Sequence, residues 1–345
     1  MADELERRTS DATEDPGTTV SSERPSRLLP LWRMIRVLGF ISALASIMSL
    51  FAAYHWVADM LTHLTVQYLA LMAPAAILLW RQKRPVLCLL LLGLMGWHAL
   101  KIAPYVLPNS SLTVTTAETK VHRLAVFNVL RTNERFSETL DELLSCDADI
   151  VYLMEVQPAW KAQLERVRTQ YPYQEVAADW DYLGVALLSK IPWRDLEIVQ
   201  LGYVSNPSYD VRLCVGVEPQ DDIQLIATHP LPPFGEVLTT ARDAQLSTLS
   251  ARLVGSEPQI FCGDFNLSPW SPRFQALCQS SSLSDASLGY GLAPTLIPLP
   301  TVLGGVKVDH VLKNSRIQVH QYQVVRSSYS DHGIVLFDFS VGPGQ

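Results

Sequence analysis

Gln259-Ile260-Phe261-Cys262-Gly263-Asp264-Phe265-Asn266 is an apolar run that closes on polar residues, and its reading decides the fold. Along an extended segment alternate side chains share a face, so Asp264 and Asn266 point one way and Phe265 the other. Glycine at 263 permits another backbone to come close. Two readings fit these residues: an Asx turn that ends a strand, or a buried strand that delivers two polar groups to an open edge. The same pattern recurs along the chain. Ala125-Val126-Phe127 runs into Asn128, Val151-Tyr152-Leu153-Met154 into Glu155, and Leu225-Ile226-Ala227-Thr228 into His229. Taken alone, Glu155 reads first as a solvated strand end and His229 as a capped one. Two Asp-His pairs complete the set, Asp309-His310 and Asp331-His332 after Ser330.

Around these ends, branched and aromatic runs predict strands over 122–130, 149–155, 184–188, 211–217, 223–228, 306–312, 317–325 and 333–339. Helices are predicted over 136–144, 158–168 (proline in its first turn) and 237–253. No internal repeat is visible. The mixed order implies one α/β domain built from two packed sheets with helices outside.

The first third of the 345 residues is of another kind. Hydrophobic residues make up 48% of the chain and charged ones 18%, and the apolar excess is concentrated between Val37 and Leu107, which excludes a wholly disordered, collagen-like or disulfide-scaffold protein. Val37–Ala58 is 22 residues without a formal charge and Met60–Trp80 another 21, each near the roughly 20 that a helix needs to cross a bilayer. A third run, Pro85–Leu100, has 16 uncharged residues and resumes beyond Lys101, which can snorkel. Three spans are therefore expected, at about 37–58, 60–80 and 85–105, with the first turn between Tyr54 and His63 around Asp59. Arg33 and Arg36 before the first run, and Arg81, Lys83 and Arg84 between the second and third, place those ends in the cytoplasm and everything after Leu107 outside it. Residues 1–30 read as a disordered cytoplasmic tail and 108–120 as a linker, leaving 121–345 for the large domain. The spans hold no acidic residue but Asp59, so anchorage is expected of them rather than an ion or proton path. The five cysteines form no CxxC pair and are expected as buried free thiols.

In chain order, Asn128, Glu155, His229, Asp264 with Asn266, Asp309, and Ser330-Asp331-His332 resemble the endonuclease/exonuclease/phosphatase superfamily, over about Val121 to Val341. The arrangement behind an N-terminal membrane bundle is similar to the superfamily's bacterial inner-membrane members. The resemblance implies a four-layer α/β sandwich and a Mg²⁺-dependent hydrolase of phosphodiesters, with Mn²⁺ as substitute. It implies Glu155, Asn128 and Asp331 as metal ligands, oxygen donors of the sort Mg²⁺ prefers. His332 would be the base, or would orient the attacking water, with Asp309 holding its tautomer. Asp264 would position the nucleophile or shuttle a proton, and Asn266 and His229 would donate to phosphate oxygens, His229 also serving as acid. Two positions depart from the pattern: Leu130 stands where many relatives have a carboxylate, and Leu296 in Pro294-Thr295-Leu296 where membrane-bound relatives often have an aromatic. Arg242 resembles an arginine of the family's corresponding helix and is equally an exposed helix arginine.

Charge bears on the substrate. Up to Leu107 there are 10 Lys/Arg against 8 Asp/Glu, and after it 17 against 26. So acidic a domain has no evident basic stripe of the kind that binds long nucleic acids, which weighs against a processive nuclease and leaves nucleic acid, a lipid headgroup or a small phosphodiester as the substrate. The partners implied are that substrate and the bilayer, and no protein partner can be named. The rival from another class is a membrane-tethered binding or scaffolding module with a degenerate catalytic fold. Retention of Glu155, Asp264, Asn266, Asp309 and His332 argues against it.

Overall fold

The computed structural model describes residues 31–108, 120–178, 184–201, 206–215, 222–253, 255–297 and 304–342. The expected tail, most of the linker and the end of the 211–217 strand lie outside them. Among the described residues, three helices are long and apolar enough to cross a membrane: α1 (Leu31–Ser49), the stretch Trp56–Arg81, and Pro85–Val106. The middle stretch comprises α2 (Trp56–Leu61), a 3₁₀ turn (Thr62–Leu64) and α3 (Thr65–Arg81), and the last is α4, with proline at its first position. The first helix differs from the uncharged run that announces it. It begins six residues earlier, carrying Arg33 and Arg36, and it ends at Ser49, so the turn lies at 50–55 and Asp59 falls inside α2. Small residues explain the packing of α1: a Cβ on Gly39 would sit 2.3 Å from that of Ala75 on α3.

Among the described residues the large domain places twelve strands in two six-stranded sheets. The first sheet contains β1 (His122–Asn128), β2 (Ile150–Met154), β3 (Tyr173–Ala177), β4 (Val185–Ser189), β11 (Ile317–Arg326) and β12 (Gly333–Val341) in the order β11-β12-β1-β2-β4-β3. The second contains β5 (Trp193–Val199), β6 (Ser208–Leu213), β7 (Ile223–Ala227), β8 (Gln259–Asp264), β9 (Ser284–Asp285) and β10 (Asp309–Lys313) in the order β5-β6-β7-β8-β10-β9. Each sheet has one parallel pair, β1·β2 and β7·β8, beside otherwise antiparallel neighbours.

Both faces of these central strands are covered, which is why their sequences are continuous apolar runs rather than alternating ones. Leu124, Val126, Tyr152, Leu225, Ile260 and Val335 meet between the sheets. On the other face of the first sheet, Phe127 and Leu153 pack under α5 (Phe136–Leu144) and α6 (Trp160–Glu165). On the outer face of the second, Ile226 and Phe261 pack under α7 (Glu236–Ser250) and α8 (Pro272–Ser281). The result is the four-layer sandwich. Sequence patterning leaves out β3, β5, β9 and α8. β3 and β5 carry mostly half-buried or exposed side chains, and β9 is two residues long. The strand expected over 306–312 starts at Asp309 instead, so that aspartate opens β10 rather than following a run. All five cysteines are free, three of them buried and Cys214 and Cys278 half-buried.

Candidate active site

The strand order brings the polar ends together. Asn128 ends β1, Glu155 follows β2, His229 lies two residues past β7 and Asp264 ends β8, so all four stand at the carboxyl ends of the two parallel pairs. The antiparallel neighbours add one group each. Asp309 pairs in register with Asp264, and His332 immediately precedes β12, whose Val335 lies opposite Val126 of β1.

The groups form a connected array. His332 Nδ1 lies 2.8 Å from Asp309 Oδ2, and His332 Nε2 and His229 Nε2 lie 3.8 and 3.7 Å from Asp264 Oδ2. Asn128 donates Nδ2 to Glu155 Oε1 at 2.9 Å and approaches Asp264 Oδ2 at 3.4 Å, which ties the first sheet's edge to the second's. The other oxygen of Glu155 accepts the main-chain N–H of Arg131 at 2.7 Å. Glu155, Leu130 and Asn266 all have positive φ, at 61°, 63° and 50°. Such backbone persists in residues other than glycine where surrounding bonds over-determine it, and it clusters at functional sites. At Gly263, φ is 140° and a Cβ would lie 1.7 Å from the Thr228 carbonyl oxygen, so glycine is what lets β8 press against the residue that precedes His229.

Not every expected residue joins the array in the same way. Asn266 turns its Nδ2 to the Pro230 carbonyl at 3.1 Å and its N–H to Asp264 Oδ1 at 2.9 Å, so it braces the loop. Asp331 contributes its main-chain oxygen to Ile297 N–H, and among the described residues no hydrogen bond joins its carboxylate to Glu155 or Asn128. Arg242 is fully buried, which removes the exposed-helix alternative. His310 is structural: its Nε2 lies 2.8 Å from the Leu267 carbonyl oxygen and its ring packs on Phe265 and Phe274.

Burial alone would discharge His332, but the ion pair and hydrogen bond with Asp309 outweigh it and lift the imidazole to about 10. Asp309 is correspondingly held below its ordinary range, since the imidazolium overcomes its desolvation. Asp264 is pushed up, first by burial and then by the Asp309 charge. The array thus sets a His–Asp ion pair beside a carboxyl that burial and the neighbouring Asp309 charge shift the other way. Groups whose environments drive them apart in this way are suited to opposite proton-transfer roles.

The profile of the endonuclease/exonuclease/phosphatase family matches residues 125–332, which takes in every residue of this array. The chain belongs to that family. Its class is the metal-dependent hydrolases of phosphoric ester bonds. No curated protein matches the chain. Among solved structures, an endonuclease/exonuclease/phosphatase from Beutenbergia cavernae has a TM-score of 0.56 at 18% identity, over 65% of this chain and 72% of its own. Humanized D. rerio TDP2 gives 0.53 at 16%, over 64% and 99%. The human Nocturnin catalytic domain gives 0.53 at 19%, over 64% and 94%. At these identities the likeness is one of fold.

The donor set fits the family's divalent cation at two places. At one end Glu155 presents a carboxylate that Asn128 orients through its Nδ2, the Asn128 side-chain oxygen itself accepting the Leu130 N–H at 3.1 Å. At the other, Asp264, Asp309 and His332 each place a ligand atom within 4.8 Å of the others. Asp309 Oδ1 and Asp331 Oδ1 are buried without a hydrogen-bond partner among the described residues. Sequence reasoning missed the braces behind these groups. Thr295 Oγ1 accepts the N–H groups of Val308 and Asp309, both at 3.0 Å. Met154 Sδ receives the Asp264 N–H at 3.1 Å from the opposite sheet, and Ser330 Oγ donates to the Asn128 carbonyl at 2.7 Å. Nothing in local pattern marks a buried Thr or Met as a brace.

Proposed function

We propose that the chain is a membrane-anchored phosphodiesterase whose active site is the cleft between the two sheet edges. The observation that carries this is the His332–Asp309 pair facing Asp264, His229 and the Asn128–Glu155 pair across a few ångströms. Glu155 and Asn128 would hold Mg²⁺, or Mn²⁺ in its place, with Asp331 as the further carboxylate on that side. When bound, such an ion supplies Lewis-acid polarisation of a phosphoryl oxygen and positive charge that favours the neutral imidazole. His332 takes the proton of the attacking water, and Asp309 fixes its tautomer and balances the charge it gains. Asp264 orients that water through its second oxygen or relays the proton. His229 donates to the phosphate and then to the leaving oxygen, and Asn266 holds the loop on which Asp264 sits.

Anchorage is supported by the apolar side chains that α1, α3 and α4 turn outward, among them Leu44, Ile77, Leu89, Leu90 and Leu100, each more than half exposed. So large an outward apolar surface suits lipid rather than water. Two features together support a sidedness. The Asp59 segment packs against the large domain, so both lie on one side of the bilayer. The basic residues at the opposite helix ends favour that side being outside the cytoplasm, on the periplasmic face of a bacterial inner membrane. A reporter fused after residue 110 checks this, a cytoplasmic signal refuting it.

A cavity of about 300 Å³ favours a lipid phosphodiester as substrate. It lies between the helix ends and the large domain, lined by Val66, Tyr105, Trp270, Leu292, Pro294 and Val306, among others. Behind its wall, Thr295 donates its N–H to the Val306 carbonyl and accepts that of Asp309, so the cavity adjoins the active-site strand. An amphiphile leaving the bilayer would meet this mostly apolar space on the way to the cleft. The full chain in detergent micelles with Mg²⁺ or Mn²⁺, offered bis-p-nitrophenyl phosphate, sphingomyelin, DNA and RNA, is the test. Hydrolysis abolished by His332→Ala is expected, with the lipid preferred. No cleavage of any of them, or activity that survives His332→Ala, defeats the reading.

A further inference from the structure

We propose that Asp59, on α2 at the start of the second apolar stretch, is a positioning residue for the catalytic loop, acting through Arg242. Asp59 and Arg242 are 183 positions apart, and both are essentially without solvent contact. Arg242 Nη2 donates to Asp59 Oδ2 at 3.0 Å, while Nη1 of the same guanidinium donates to the Asn266 main-chain oxygen at 2.9 Å. The planar fork makes these two bonds one rigid link. Asn266 stands in a left-handed conformation, and its N–H holds Asp264 Oδ1 at 2.9 Å. The other oxygen of Asp264 is the one that faces His229 and His332. The helical module thus reaches the reacting end of Asp264 in three contacts.

The surroundings give the expected consequence of losing Asp59. Arg242 also binds Asp243 through Nε and Nη2, at 2.9 and 2.8 Å, and Asp243 in turn binds Arg273. Without Asp59 the guanidinium keeps Asp243 as its sole carboxylate among its described partners and follows it, slackening the hold on Asn266. Asp59 is itself placed by the Ser271 hydroxyl, and Ser268 Oγ donates to the Thr62 carbonyl at 3.3 Å just beyond it. A second class of contact joins the same two regions without touching this link: Lys101 Nζ reaches the Trp270 carbonyl at 3.5 Å. Misplacement of a reacting group by about 1 Å costs on the order of 10²-fold in rate. A loosened Asn266 turn acts on Asp264 in that way.

The rate measurements rest on the phosphoesterase reading, and the exchange measurement does not. In the full chain in micelles, Asp59→Asn is expected to lower kcat on bis-p-nitrophenyl phosphate about 10- to 100-fold with KM within about twofold, Asp59→Glu restoring most of it. Arg242→Lys, which keeps a charge for Asp59 but has no fork to bridge to Asn266, is expected to lower kcat likewise. Lys101→Met is expected to keep the wild-type kcat. Hydrogen exchange across residues 264–267 should quicken in Asp59→Asn and not in Lys101→Met. The proposal is overturned if Asp59→Asn and Arg242→Lys both keep wild-type kcat and exchange, or if Lys101→Met loses as much as they do. The second result would mean simple attachment. An inactive wild-type chain whose exchange still responds to Asp59→Asn would defeat the phosphoesterase reading and leave the link standing.

Discussion

The two sheets reach the cleft with the same construction, a parallel pair flanked by an antiparallel strand, yet they load it differently. The first sheet offers Asn128 and a half-buried Glu155 whose oxygens are already held by two N–H donors. The second offers Asp264 and Asp309, both buried, of which Asp309 is paired with the imidazole that the first sheet contributes. Equal topology with unequal burial gives unequal chemistry. A partly solvated carboxylate with fixed geometry suits a hard cation, whereas buried carboxyls beside histidine suit proton transfer.

His332→Ala should have the largest effect, lowering kcat roughly 10³-fold in steady-state hydrolysis. Asp309→Asn should approach that loss, and the double variant should be little worse than either, because the pair acts as a unit. Additive losses would break the assignment of one job to the second edge. Asn128→Ala should weaken Mg²⁺ binding about 10- to 100-fold by calorimetric titration, through the Glu155 carboxylate it orients, while His332→Ala leaves that affinity nearly unchanged. If both variants lose the metal equally, the two edges do not divide the work, and the cluster of Asp264, Asp309 and His332 is the cation site.

Away from the cleft, Asp285 is a useful contrast: a buried carboxylate bound by Lys307 at 2.8 Å and held well below its ordinary range, desolvation being overcome by that lysine. Asp285→Asn should cost about 3–5 kcal/mol in denaturant unfolding, since it strands a buried lysine. A depressed carboxylate contributes stability above its unfolded value of 3.8 and loses it only as pH falls toward the folded one. The wild type should therefore lose stability below about pH 4 relative to Asp285→Asn. His332 has the opposite sign. Its raised value stabilises in full below 6.5 and fades as pH climbs toward about 10, so chelator-treated wild type should lose stability over that window and His332→Gln should not. The smallest effect expected is that of Thr295→Val, which leaves the N–H groups of Val308 and Asp309 unsatisfied. It should cost about 1–3 kcal/mol and a few-fold in kcat.

The strand ends were legible because burial is written locally. Val151 to Met154 can be nothing but interior, so a glutamate next in line has to stand at a rim. The glycine of Gly263-Asp264 signalled a close approach, and the structure supplies its partner, the Thr228 carbonyl. Weakly amphipathic elements such as β5, with charged residues at 194, 195 and 197, were not legible, because tertiary pairing rather than pattern makes them strands. Arg242 was legible only as a match to the family's helix arginine or as an exposed one, because its partner Asp59 lies in another region of the chain.

What the sequence by itself determined is which residues are interior, which end an interior run, and that three apolar stretches precede a large α/β domain. Only the tertiary structure decided which interior surfaces face each other: Asp59 with Arg242, Met154 with Asp264, Thr295 with Asp309. The physical reason is range. Hydrophobic periodicity is a property of neighbours a few residues apart, whereas a buried polar group takes whatever partner the packing of distant elements brings within about 3 Å.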